Sequence, residues 1–238
     1  LGQYETGPEC RPLPESLARL VDQFPGVQFD LALAYPCFAP DGDGSDELFQ
    51  AGRAAAVSLA GGGMPHLRLV DPETDATTVD PHQAAETVGR LVAELGRVDG
   101  MLSIEHSRQA WTWFRRVFEL ARDRAGERGG RLKICFDPCN LLVAGDDPAE
   151  VTASLSAADI SMIHLKQRRN GLHYPAVADG EVDWTAVAAA INLLGFDGPM
   201  LFEIAAHENI WEFLDGSCAY LARRGLEDRR PDEIEAGE

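Results

Sequence analysis

No apolar run in this chain approaches the roughly 18 residues that a membrane-spanning helix needs. The opening Leu1-Gly2-Gln3-Tyr4 has neither the basic nor the apolar segment of a secretion signal. Residue 1 is not Met, so a stretch upstream is expected to have been processed, trimmed or left out. Positive charge is scarce. Lys and Arg number 21 against 39 Asp and Glu, for a formal net charge of -18. Such a field repels phosphate backbones and counts against a nucleic-acid partner. It leaves room for a local basic pocket that takes a small anion. The five cysteines are odd in number and widely scattered, which is no disulfide framework. Cys135 lies inside an apolar strand-like run, so it and nearby Cys139 read as buried thiols rather than a redox pair. A cytoplasmic location is expected. No Gly-rich phosphate loop follows an early strand. Gly61-Gly62-Gly63 precedes a strand and reads as a helix stop.

What the chain does have is alternation. Its 238 residues suffice for one large domain. Strand candidates are Leu1 to Glu5, Val27 to Tyr35, His66 to Val70, Met101 to Glu105, Leu132 to Asp137, Ile160 to Leu165 and Pro199 to Ile204. Helix candidates lie between them: Leu13 to Phe24, Asp46 to Leu59, Pro81 to Leu95, Gln109 to Arg124, Asp183 to Leu194 and Trp211 to Arg223, with a shorter one at Pro148 to Leu155. Asp80 before Pro81 is an N-cap followed by proline at the first helical position. Strands alternating with helices predict an α/β fold with a parallel sheet. The expected architecture is a TIM (β/α)8-type barrel over residues 1–226, lacking its first strand and helix in this chain. An open doubly wound sheet is the alternative. Residues 227–238 read as a charged, solvated tail.

Four of the apolar runs end on a metal-type ligand. These are Glu105, Asp137, His164 and Glu203. In a parallel barrel the strand ends open on one face, so these four can converge. Three carboxylates and an imidazole suit one divalent cation, with Mn, Mg, Co and Zn all compatible. Singly, each has a plainer reading. Asp137 before Pro138 can cap a helix, and His164 can be a hydrogen-bonded core histidine.

These residues carry a resemblance. Ile104-Glu105-His106, Phe136-Asp137-Pro138-Cys139-Asn140, Ile163-His164-Leu165-Lys166 and Leu201-Phe202-Glu203 resemble the motif series of xylose-isomerase-like TIM barrels. They are similar in particular to the sugar phosphate isomerase/epimerase family. Ala178-Asp179-Gly180-Glu181-Val182-Asp183-Trp184 resembles the Gly-x-Gly-Glu-Val-Asp-Trp loop of that family. The resemblance implies that Glu105, Asp137, His164 and Glu203 bind one divalent metal. It also implies that Glu105 and Glu203 flank the substrate as an acid/base pair, and that dimers or tetramers form.

The activity implied is isomerisation or epimerisation of a sugar, cyclitol or related polyhydroxy carbonyl compound through a metal-stabilised enediolate. Loss of a β-hydroxyl from the same intermediate would make the protein a lyase or dehydratase. Two positions depart from the family: Asn140 stands where a substrate-contacting His is common, and Gln167 where an Asp is common. Asn cannot shuttle a proton near neutral pH. A non-catalytic barrel with an altered site therefore stays open. An apurinic-site endonuclease fits poorly, because it needs a His-rich zinc cluster and a basic face.

Further substrate-binding candidates are Asn140, His66, Arg68, Lys166 and Arg169. His66 and Arg68 alternate onto one face of a strand, where Arg68 can meet substrate or serve as a bridging arginine. Lys166 has a surface lysine as its plain alternative. Arg168, Arg169 and His173 belong to a loop that is either a lid or simply solvated. His106 and His207 follow two of the ligands and line the mouth or sit on loops. Trp184 reads as a packing residue.

Overall fold

In a computed structural model of the chain, residues 14–40, 42, 44–204 and 207–227 are described. The strand expected at Leu1 to Glu5 and nearly all of the expected tail lie outside them. Two compact units divide the chain at residues 134 and 135, inside one strand.

The first unit runs α1 (Pro14–Gln23), β1 (Leu31–Ala34), α2 (Glu47–Leu59), β2 (His66–Val70), α3 (Pro81–Leu95), β3 (Met101–Glu105) and α4 (Trp111–Ala125). It ends in the first residues of β4 (Leu132–Phe136). β1 pairs with β2, and β2 with β3, both parallel, with Leu31 opposite Leu67 and Val70 opposite Glu105. The first strand is shorter than expected, four residues rather than the whole of Val27 to Tyr35.

Local signals explain the helices. Asp46 caps α2 by accepting the Phe49 N–H at 2.9 Å. Asp80 caps α3 by accepting the His82 N–H at 2.8 Å, with Pro81 in the first turn, as the sequence predicts. α3 buries Ala84, Val88, Leu91, Val92 and Leu95 along one face and packs on α4. α2 stops at Ala60, and Gly61 and Gly62 follow with φ of +56° and +91°. Alternation sorts β2. Leu67 and Leu69 are fully buried on one face, while His66 and Arg68 point to the other.

Asp71, just past β2, is fully buried and organises the loops there. Its carboxylate accepts from the Phe38 N–H at 3.0 Å, the Thr74 N–H at 2.9 Å and the Thr74 hydroxyl at 2.8 Å.

The second unit takes the rest of β4, then α5 (Pro138–Ala144), α6 (Pro148–Ala153), β5 (Ile160–Leu165), β6 (Gln167–Arg169), β7 (Leu172–Tyr174), α7 (Trp184–Leu194), β8 (Met200–Phe202) and α8 (Ile210–Ala222). β5 and β8 are parallel, with Ile163 opposite Met200. Two elements were not expected from the sequence. α5 is one short helix after Asp137. The segment expected as a loop is a hairpin, β6 against β7, turning on Asn170 and Gly171 with φ of +53° and +75°. Asn-Gly is the preferred pair for such a turn, so the signal was present in the chain.

Gln167 ties this hairpin to the loop before α7. Its amide donates to the carbonyls of Ala178 at 2.6 Å and Val182 at 3.1 Å, and its carbonyl accepts the Val182 N–H at 2.9 Å. Gly180 lies against it so closely that an added Cβ would meet Gln167 Cδ at 2.5 Å. Gln167 thus acts as a structural clamp.

Asp71→Ala should destabilise the protein by about 3 kcal/mol, because it strands buried N–H donors without an acceptor. Denaturant unfolding measures this, and a loss under about 1 kcal/mol would mean water replaces the carboxylate.

Candidate metal centre

In the second unit, the ends of β4, β5 and β8 bring Asp137, His164 and Glu203 together. One donor atom from each lies within 4.8 Å of the others. Asp137 divides its work between two oxygens. Oδ1 caps α5, accepting the N–H groups of Cys139 at 2.8 Å and Asn140 at 3.1 Å. Oδ2 faces the centre, 3.7 Å from His164 Nδ1. Capping α5 therefore uses one oxygen of Asp137 and leaves the other facing His164. Glu203 Oε2 is 3.0 Å from the same His164 nitrogen. The other ring nitrogen of His164, Nε2, is 3.4 Å from the Cys135 thiol. That contact orients the imidazole with Nδ1 toward the carboxylates.

Lys166 completes the cluster, and it is no surface lysine. It is 4% exposed, with Nζ at 2.7 Å from Asp137 Oδ2 and 3.1 Å from Glu203 Oε2. Its backbone carbonyl accepts the indole N–H of fully buried Trp184 at 3.2 Å. Trp184 is thus a packing residue that also fixes Lys166.

The charges shift one another. Burial alone would raise the Asp137 carboxyl, but the His164 hydrogen bond and the Lys166 ammonium reverse this, and it titrates well below the ordinary carboxylate range. Burial would likewise raise Glu203, yet His164 and Lys166 bring it down to about 2. Burial would lower His164, but hydrogen bonds with Asp137, Cys135 and Glu203 raise it to about 12. Burial followed by the charge of Asp137 pushes the Cys139 thiol up to about 12, so it is an inert thiol at neutral pH. Two carboxylates and an imidazole at this spacing fit a divalent cation. Loading one would release the His164 proton.

The first unit holds Glu105, 4% exposed at the end of β3. Its Oε2 accepts from Arg68 Nη1 at 2.5 Å, and Arg68 Nε donates to Asp30 Oδ2 at 2.8 Å. His66 Nε2 lies 2.7 Å from the Ser103 hydroxyl, and its Nδ1 lies 3.5 Å from Asp30 Oδ1. His66 and Arg68 do share a face, as alternation predicts. Arg68 is the bridging arginine of the two readings, directed at Asp30 and Glu105 rather than at open space. Asp30 and Ser103 were not singled out from the sequence. Asp30 precedes a short strand with no motif around it, and Ser103 is one small polar residue inside an apolar run.

The remaining candidates separate. Asn140 is partly exposed in the first turn of α5. Arg169 stacks on Tyr174 at 3.7 Å and donates to the Asp179 carbonyl at 2.7 Å, so it serves the hairpin. Arg168 donates to the Gly171 carbonyl within the same hairpin, and His173 is exposed there. His106 is fully buried and packs edge-on against Trp111 and Phe114. His207 is exposed and accepts the Asn209 N–H.

A family model described as xylose isomerase-like TIM barrel matches residues 83–223. The chain belongs to the xylose isomerase-like TIM barrel family. Its fold is accordingly that of a TIM barrel. No curated protein matches it in sequence. Solved structures of similar fold include the IolI protein with a bound zinc atom, at 13% identity and TM-score 0.62, covering 89% of this chain and 80% of that one. A D-tagatose 3-epimerase-like protein is 15% identical with TM-score 0.65, covering 89% and 83%. The probable 3-DHS dehydratase AsbF from Bacillus anthracis is 12% identical with TM-score 0.64, covering 88% and 81%.

The protein should show a stability optimum when stripped of metal. The depressed carboxylates stabilise fully above about pH 4 and lose that contribution as pH falls through their folded values. Raised His164 stabilises fully below about pH 6.5 and loses its contribution as pH rises toward its folded value. Urea unfolding of chelator-treated protein should therefore peak between about pH 4 and 6.5. Asp137→Asn should flatten the acid limb, and an unchanged limb would contradict the assigned pairing.

Proposed function

We propose that the chain is a divalent-metal-dependent isomerase or epimerase of a sugar, cyclitol or related polyhydroxy carbonyl compound. The observation that carries this reading is the meeting of Asp137, His164 and Glu203 donor atoms within 4.8 Å at three strand ends. Glu105 is the proposed fourth ligand, since it ends β3 as the others end their strands. Mn, Mg, Co and Zn remain the candidate ions. A divalent cation held there supplies Lewis-acid polarisation of a carbonyl and its neighbouring hydroxyl.

The proton work falls to the chain's own carboxylates. Glu203 is half-exposed and ionised near neutral pH, so it can meet substrate and accept a proton from the carbon beside the carbonyl. Glu105, held by Arg68, is the proposed partner on the other face of that carbon. Return of the proton to the opposite face epimerises, and return to the neighbouring carbon isomerises. Asn140 is the proposed contact to substrate oxygens. His66, Arg68 and Arg169 are better read as support, because their polar groups engage Ser103, Asp30, Glu105 and Asp179. On this reading residues 1–226 form one barrel domain, and the partner is a small polyhydroxy molecule.

A dehydratase using the same carboxylates is the second reading, since loss of a β-hydroxyl can follow the same proton removal and the fold is shared with AsbF as well as with the epimerase-like protein. Metal analysis and solvent exchange separate these outcomes. Purified protein should hold a divalent ion and exchange the proton beside the carbonyl of a ketose or inosose in D2O, read by NMR. Glu203→Gln should reduce exchange by about a hundredfold or more. An ultraviolet-absorbing unsaturated product would favour the dehydratase. Metal content and exchange both untouched by Glu203→Gln would refute the site.

A further inference from the structure

Lys166 stands where a bound cation would be attracted. The two oxygens that face the centre, Asp137 Oδ2 and Glu203 Oε2, are the two that its ammonium contacts, at 2.7 and 3.1 Å. His164 Nδ1 shares those oxygens at 3.7 and 3.0 Å. Two carboxylates sharing one centre, Asp137 fully buried and Glu203 half-exposed, repel unless a positive charge lies between them. Lys166 is almost fully buried, so its charge is poorly screened.

The backbone under Lys166 has little freedom. Trp184 holds its carbonyl at 3.2 Å. The next residue, Gln167, is fully buried and bonded to both Ala178 and Val182. Only the flexible four-carbon stem can swing. A divalent ion held by the same oxygens would compete with the ammonium for them. It would then lie next to a like charge unless the stem moves away.

We propose that Lys166 is a tethered competitor for the divalent cation. Its ammonium neutralises Asp137 and Glu203 in the metal-free protein, keeps that state folded, and is displaced when metal binds. The consequence is a weakened, exchangeable metal rather than a permanently held one. This inference rests on the reading of Asp137, His164 and Glu203 as metal ligands.

Affinity for Zn2+ and Mn2+ is measured on metal-stripped protein by calorimetry and by competition with a chromophoric chelator. Thermal melts of the metal-free proteins are recorded beside it. Lys166→Gln should bind both ions at least about tenfold more tightly than wild type, while melting at a lower temperature without metal. Lys166→Arg should bind more weakly than wild type, since a guanidinium grips carboxylates in a fixed fork. The expected order of affinity is Gln above Lys above Arg. Wild-type or weaker affinity in a folded Gln variant overturns the competition while leaving the metal site in place. Should the Gln variant not fold, Arg affinity equal to or above wild type overturns it instead. Absence of metal binding in wild type and both variants overturns the metal reading, and the competition falls with it.

Discussion

Carboxylates gathered in a poorly solvated place need positive charge beside them, and the second unit is built around that need. Asp137 is fully buried, yet it titrates below the ordinary range because His164 and Lys166 answer its charge. One oxygen, Oδ2, faces them. The other oxygen caps a helix, fixing the first turn of α5 through Cys139 and Asn140. One side chain therefore couples the start of a helix to the chemistry at the end of a strand. Trp184 and Gln167 extend this coupling to the loop before α7. They hold the backbone of residues 166 and 167, while the lysine side chain is held by its two carboxylate partners.

The first unit solves a related problem with arginine. Glu105 would be a nearly buried carboxylate without a counterion, and Arg68 supplies one across β2 and β3. Arg68 is in turn held by Asp30, and His66 bridges Asp30 and Ser103. The planar guanidinium suits such a bridge better than an ammonium, because it presents several donors in fixed directions. The leucines on the opposite face of β2 are fully buried, so the strand is polar on one side and apolar on the other. Alternation of side chains along a strand makes this arrangement possible.

Much of this was legible from residue order. Ligand-type residues at the ends of Met101–Glu105, Leu132–Phe136, Ile160–Leu165 and Met200–Phe202 stand where the structure ends its strands. Pro81–Leu95 matches its predicted bounds because its cap and proline are local signals. The hairpin at β6 and β7 was missed although Asn170-Gly171 marks it. The flanking strands are only three residues each and rich in charge, so they lack the apolar alternation that marks a strand. The surface alternative for Lys166 failed for a different reason. Nothing in Leu165-Lys166-Gln167 says that a long charged side chain folds back onto the carboxylates of Asp137 and Glu203.

What the sequence determined alone is therefore the alternation of elements, the helix caps and the placing of ligand-type residues at strand ends. These depend on periodicity and on contacts between near neighbours, which order along the chain encodes directly. Tertiary structure alone decided which charges meet. Lys166 pairs with residues 29 positions before it and 37 after it, and Arg68 with Asp30 and Glu105. Such pairings depend on register between separate strands and on which way a flexible side chain turns. No local pattern records either.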